Sequence, residues 1–331
     1  MKFILFKNNG VDSSVISTSV RGEISSNLQI SHPKNIGFEM TKKMEATISK
    51  GKENRYFNLQ NIGLFIVTFL LFATIQFSAV AQPVKRIVSL APSITENLYL
   101  VGAGDKLVGC TSYCTMAVNN GVQQIGSTID VNIEKILSLK PDLVLTMLMT
   151  KPQDVEALRK LGVRVEILST PKSFNEICEQ TLQIARLTGN EKTAEQVVSS
   201  ARQQVENLKN QMKNKPRQKV FFQLGANPVF TVLPNTFMND FILFSNCDNI
   251  ANGMKTGIIT RESVLSRNPD VIFIATMGGF GEQEKKVWEN YKGLKAAETK
   301  KVFLIDSETS CSPTPDNFAK AFADVVKSLN R

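Results

Sequence analysis

One stretch of this chain occurs twice. Asn132–Leu145 (NIEKILSLKPDLVL) lies over Thr260–Phe273 (TRESVLSRNPDVIF) without a gap. Each copy opens on Asn or Thr at a helix-capping position and places Glu in the first turn. Each then runs through a short amphipathic helix, breaks at Pro-Asp and ends in an apolar run of strand character. A helix-strand unit used twice restricts the chain to two related lobes, with Glu134 and Glu262 at equivalent points of a pseudo-twofold molecule.

The flanking sequence fills in both lobes. Short apolar runs of strand character (Arg86–Leu90, Leu107–Cys110, Leu143–Thr146 and Val163–Leu168) alternate with helical patterns over Ile94–Val101 and Gln153–Leu161. Strands alternating with helices predict a mainly parallel sheet covered on both faces. From Ser173 the pattern turns helical. Ser173 with Glu176 reads as a capping box, Thr188-Gly189 closes that helix, and a second helix runs from about Asn190 to Lys213. At about 23 residues and roughly 1.5 Å of rise per residue it would be about 34 Å long. Its narrow apolar face suits a helix lying between lobes. Strands resume at Lys219–Leu224, Val271–Ala275 and Val302–Ile305, and a last helix covers Asp316–Leu329. The predicted class is α/β, with two Rossmann-like lobes joined by a single long backbone helix and a ligand cleft between them.

The segment before these lobes is of another kind. Between Arg55 and Lys85 there is no charge, Ile62–Ile75 is almost wholly apolar, and Ser78-Ala79-Val80-Ala81 supplies small residues at its exit. That is the pattern of a secretory signal peptide cleaved between Ala81 and Gln82. A retained membrane anchor is the alternative, and it would need about 20 apolar residues. Gln82 in place of Cys predicts a mature protein without a lipid anchor, free in a periplasm. Met40 and Met44 stand nearer than Met1 to where such a peptide would start. The expected organisation is an extension and signal peptide over 1–81, a first lobe over 82–189, the linking helix over 190–215 and a second lobe over 216–331.

Composition excludes several function classes. The one histidine, His32, precedes the apolar run, so the lobes have no imidazole for a Ser-His-Asp triad or a His-ligated zinc. Gly-x-Ser-x-Gly, P-loop and dinucleotide fingerprints are absent, and the acids near the strand ends form no obvious pair. An enzyme is therefore not expected. The chain holds 39 Lys+Arg against 30 Asp+Glu; nine and five of these precede Gln82, which leaves a scattered 30 against 25. Nucleic acid is not expected as a partner. The five cysteines, Cys110, Cys114, Cys178, Cys247 and Cys311, are irregularly spaced, and no disulfide follows from them. Cys110 and Cys114 are placed either to pair or to hold a soft metal, and buried thiols are the commoner outcome.

Four segments, RIVSLAPSITENLYLVGAG from Arg86, NIEKILSLKPDLVL from Asn132, KVFFQLGANPVFT from Lys219 and ITRESVLSRNPDVIFIA from Ile259, together resemble the substrate-binding proteins of iron-siderophore, haem and cobalamin ABC importers, nearest to the cobalamin binders. The resemblance covers essentially all of the chain after the apolar run. It implies a monomeric periplasmic protein that holds a corrinoid or related metal-chelate between rigidly joined lobes and delivers it to a permease dimer with its ATPase; a ferric siderophore or haem is the alternative ligand. It also implies no resident cofactor, and salt bridges from Glu134 and Glu262 to arginines of the permease. From the residues alone, helix-dipole and capping stabilisation is the ordinary reading of both glutamates, and a pair of equivalent basic sites on a symmetric partner is the alternative.

For the ligand, the resemblance points to Tyr113, to Phe230, and to the loop Glu308, Thr309, Ser310, Cys311 and Ser312. Position after strand ends adds Ser93, Met277 and Phe280, because ligands of open α/β sheets bind beyond the strand C-termini. Cobalamin binders surround the corrin with Trp, whereas the only Trp here is Trp288, in a polar helix. Flat apolar area from Met147, Met149, Met254 and Met277 is the expected replacement. An acidic siderophore would instead call on Arg261 and Lys255.

Overall fold

The computed structural model describes residues 84–275 and 279–331. The signal-peptide reading and Met277 both fall outside them. In the first lobe five parallel strands, β1 (Ile87–Ser89), β2 (Leu107–Cys110), β3 (Gln123–Gln124), β4 (Leu143–Met147) and β5 (Val165–Leu168), form a sheet in the order β3-β2-β1-β4-β5. Helices α1 (Pro92–Leu100), α2 (Thr115–Asn119), α3 (Ile133–Ser138) and α4 (Pro152–Lys160) connect the strands. Alternation sends side chains to both faces. Ile87, Leu143 and Leu145 enter one core, and Val88 and Val144 the other.

Two long helices follow, α5 (Phe174–Thr188) and α6 (Glu191–Met212). Ser173 caps α5 by accepting from the Glu176 amide at 3.2 Å, and Gly189 ends it in the left-handed conformation at φ 72°. The reciprocal arm of the capping box is displaced by one residue, since the Glu176 carboxylate takes the amide of Lys172 at 2.8 Å. Both helices run between the lobes. Phe174, Ile177 and Cys178 at one end of α5 enter the core of the second lobe, while Ile184 and Ala185 at its other end enter that of the first. On α6, Ala194 belongs to the first lobe, and Val198, Ala201, Val205 and Met212 to the second. Spacings of three, four and seven residues place these side chains on one narrow stripe.

The second lobe holds β6 (Lys219–Ala226), β7 (Val229–Thr231), α7 (Asn239–Phe244), β8 (Asp248–Asn249), α8 (Arg261–Arg267), β9 (Val271–Ile274), α9 (Gly281–Glu289), α10 (Lys295–Glu298), β10 (Val302–Leu304), α11 (Ser307–Ser310) and α12 (Pro315–Leu329). The strand order is β10-β9-β6-β7, with β8 parallel to the start of β6 and β7 antiparallel to its end. The antiparallel hairpin β6–β7 departs from the all-parallel plan of the first lobe. Phe318 of α12 lies between Phe174 and Phe241, 4.5 Å from each ring centroid, so a single aromatic stack joins α5, α7 and α12.

The repeat survives in three dimensions. Asn132 and Thr260 cap their helices by accepting from the amides of Lys135 (2.8 Å) and Ser263 (3.2 Å). Ile136 and Val264 are fully buried at matching points. Before each Pro-Asp the backbone turns left-handed, at Lys140 (φ 45°) and Asn268 (φ 44°). The aspartates then tie back to the first strand of their sheet: Asp142 accepts from the amides of Lys85 and Arg86 at 2.9 Å, and Asp270 from that of Lys219 at 2.7 Å. The Pro-Asp pair thus sets the register of the central strands in both lobes.

Candidate ligand-binding cleft

The lobes meet at the carboxyl ends of their strands. Helix α1, which leaves the end of β1, touches the segment between α11 and α12, which follows the end of β10. Glu96 Oε2 accepts from Ser312 Oγ (2.5 Å) and Asn317 Nδ2 (2.9 Å). Next to it Asn97, fully buried, accepts from Thr181 Oγ1 of α5 at 2.6 Å. Burial pushes the Glu96 carboxyl up, an effect that the Ser312 and Asn317 hydrogen bonds oppose and the nearby Glu308 reinforces. This polar seam forms the floor at which the lobes are joined.

Above it, large apolar side chains stand exposed on both lobes. Tyr113 (48% exposed) follows β2, and Leu148 (72%) and Met149 follow β4. In the second lobe Phe230 sits on β7 and Phe280 opens α9, both exposed. The Phe230 ring lies directly on Gly257, where a Cβ would come within 2.4 Å of it. The backbone holds that contact through the Thr231 amide bonded to the Gly257 carbonyl at 2.8 Å and the Ile259 amide bonded to that of Val229 at 3.1 Å.

Other residues singled out from sequence sit differently. Ser93 is buried, with Oγ 3.9 Å from the Met147 sulfur, and lines the base of the first lobe's rim. Met147 itself is buried and offers little surface, and Met254 packs on the core of the second lobe. In the loop after β10, Thr309 spends its hydroxyl and amide on Asp306, which caps α11, and Ser310 is fully buried. Ser312 is engaged by Glu96, Cys311 is half-buried, and Glu308 is exposed. Ser310 therefore presents no surface to a ligand. Sequence reasoning passed over Leu148, Met116 and Ile258, all exposed. For Leu148 the available signal was an apolar residue continuing past the end of a strand into a turn.

Trp288 is no cleft residue. It is fully buried, edge-on to Phe221 at 5.5 Å, and its indole N–H donates to Gln223 Oε1 at 2.6 Å. Gln223 in turn donates to Glu284 at 2.7 Å, and Arg261 meets both Glu284 oxygens at 2.8 Å while lying 4.9 Å over the indole ring. Arg261 is paired through Nη2 with Glu284, while its Nη1 is buried without a hydrogen-bond partner among the described residues; Lys255 is exposed. A groove of about 290 Å³ lined by Val197, Ala201 and Ala319 lies on the linking helices, away from the strand ends. Among the described residues no group of three His, Cys, Asp or Glu is gathered to hold a metal ion.

Glu134 and Glu262 are exposed in the first turns of α3 and α8. Among the described residues neither has a salt-bridge partner. The Glu262 carboxyl is held below its usual range by its own backbone amide, and next by the Thr260 hydroxyl.

Two lobes built on mainly parallel sheets and joined by long helices, with large apolar side chains exposed on each, define a bilobal solute-binding protein. The chain belongs to the periplasmic binding protein family, whose pattern matches residues 87–309. It is 31% identical over 234 residues to the uncharacterized ABC transporter substrate-binding lipoprotein YvrC of Bacillus subtilis, covering 68% of this chain and 73% of that protein. It is 30% identical over 199 residues to the vitamin B12-binding protein of Yersinia pestis, covering 59% and 71%. Among solved structures, the periplasmic vitamin B12 binding protein BtuF of Vibrio cholerae superposes with a TM-score of 0.66 at 26% identity, covering 75% of this chain and 97% of that one.

Proposed function

We propose that this protein captures a corrinoid, or a metal-chelate of similar shape, in the periplasm and hands it to the permease of an ABC importer. The observation that carries the reading is the pair of apolar rims, with Tyr113, Leu148 and Met149 on one lobe and Phe230 and Phe280 on the other. Exposed aromatic and thioether surface suits a broad, largely uncharged ligand face. The commitment of Arg261 to Glu284 disfavours a polyanionic siderophore. The names of the cobalamin-binding relatives agree with this choice. The metal arrives already chelated, the lobes (82–189 and 216–331) act as a monomer after cleavage at Ala81/Gln82, and the protein catalyses no reaction.

Calorimetric titration with cobalamin, cobinamide, haem and ferric siderophores tests the reading. Sub-micromolar affinity for a corrinoid, about −8 kcal/mol or better, is expected, and failure with both corrinoids overturns it. Glu134 and Glu262, one per lobe and without ion-pair partners among the described residues, are the residues we assign to docking on permease arginines. Reversing both charges should abolish ligand delivery while leaving ligand affinity intact; undiminished transport sinks that assignment.

A further inference from the structure

The turn that presents Tyr113 carries a cysteine on either side. Cys110 ends β2, Cys114 precedes α2, and the Cys114 amide donates to the Thr111 carbonyl at 3.1 Å, folding the segment back on itself. Cys110 and Cys114 thereby share one buried cluster of the first lobe, with the Cys114 sulfur facing Thr95 and Thr111. Two hydroxyls converge on the same sulfur, Thr95 Oγ1 donating at 3.1 Å and Thr111 Oγ1 lying at 3.3 Å. The other three cysteines have no thiol partner: Cys178 and Cys247 are buried apart in the second lobe's core, and Cys311 is half-buried beside Ser310.

We propose that Cys110 and Cys114 form a redox-active pair that closes to an intramolecular disulfide by exchange with a disulfide oxidant such as glutathione disulfide, stapling the turn that carries Tyr113.

The surroundings decide which sulfur attacks. Hydrogen bonding from Cys110, supported by Thr111 and Thr95 against the effect of burial, holds the Cys114 thiol down at about 6, and the same contact together with burial pushes Cys110 up. The Cys114 thiolate attacks the oxidant, forms a mixed disulfide and expels one glutathione thiolate, which takes the Cys110 proton. The Cys110 thiolate then attacks the Cys114 sulfur and expels the second glutathione. The protein loses two electrons and one molecule of glutathione disulfide is reduced. Both sulfurs are nearly inaccessible in the folded state, so exchange proceeds through local opening of the Thr111–Cys114 turn.

The two cysteines share the tryptic peptide that follows Lys106 and ends at Lys135, which contains none of the other three. The full chain, equilibrated in glutathione and glutathione disulfide mixtures, is alkylated under denaturing conditions, digested and weighed. The expected result is that peptide lighter by two hydrogens and unalkylated, formed about tenfold faster than any modification of Cys178, Cys247 or Cys311. A Cys110→Ser variant should arrest at the mixed disulfide on Cys114, and a Cys114→Ser variant should leave Cys110 alkylatable. Should either variant fail to fold, the wild-type map alone decides. Alkylation of both cysteines at every ratio, or a bridge from either one to Cys178, Cys247 or Cys311, overturns the proposal.

Discussion

Glu96 Oε2 and Ser312 Oγ lie 2.5 Å apart, and with Asn317 this contact bonds the first helix of one lobe to the last turn-and-helix segment of the other. The carboxylate pays a desolvation penalty there, and its folded-state pKa is raised chiefly for that reason. A carboxyl raised on folding holds its proton longer in the native than in the unfolded state. Its contribution to stability is therefore fully present below the unfolded value near 4.5 and fades as pH rises through the folded value. Glu96→Gln keeps an acceptor for both donors and removes the charge. The variant should melt higher than wild type at neutral pH, with the difference closing as pH falls toward 4.5; equal melting curves at neutral pH would refute this. Asp240, also raised by burial while its carboxylate caps α5 at the Phe174 amide, contributes the same slope to both proteins and cancels in the comparison.

Arg261 and Glu284 form a pair whose side chains are only 23% and 10% exposed. Truncating one member of such a pair strands the other charge, at a cost of about 3–5 kcal/mol. Arg261→Met should lose that much in urea unfolding, because Glu284 keeps only the Gln223 amide. The double variant Arg261→Met, Glu284→Met should recover most of the loss. If the two single losses simply add, the pair does not act as a unit.

The stack at Phe318 gives a prediction for the link between lobes. With rings 4.5 Å away on both sides and 1% of its surface exposed, Phe318 has no space into which neighbours can relax. Phe318→Ala should destabilise by about 3–5 kcal/mol, whereas Phe318→Leu should lose less than half as much. Unfolding of both lobes in one transition, followed by Trp288 fluorescence and by circular dichroism, is expected, because α5 belongs to the cores of both.

The long elements were legible in the sequence for definite physical reasons. Ser173 and Gly189 mark their helix ends by capping chemistry, and β1, β4, β6 and β9 are apolar because both faces are covered. Elements whose pairing is decided by distant partners were not legible. Strand β8 has two residues and exists because β6 lies beside it, and β7 arises from a hairpin that breaks the symmetry of the lobes. The cleft was read with the same unevenness. Tyr113 stands exposed beyond β2, Phe230 on β7 and Phe280 before α9, but Met147 and Leu148, adjacent in sequence, fall on opposite sides of the boundary between core and rim. A shift of one residue at a strand end exchanges inside for outside, and composition does not register it. The partnership of Trp288 with Gln223, Glu284 and Arg261 joins four points of the second lobe that no local pattern connects.

Gly257 offers a way to perturb the proposed ligand wall without touching the core. Its φ is not in the left-handed region, so Ala is conformationally acceptable there, but the added methyl would lie 2.4–3.0 Å from three atoms of the Phe230 ring. That ring is exposed at the edge of the second lobe and is free to rotate away into solvent. Gly257→Ala should therefore leave the unfolding midpoint almost unchanged, within about 0.5 kcal/mol, while weakening cobalamin binding about tenfold, or about 1.4 kcal/mol, by turning Phe230 out of line. Phe230→Ala should weaken it to a similar degree, and the double variant no further than either alone, since both changes remove the same ring surface. Wild-type affinity in Gly257→Ala, measured on protein whose Phe230→Ala variant is impaired, would show that the ring binds without needing the position that Gly257 allows.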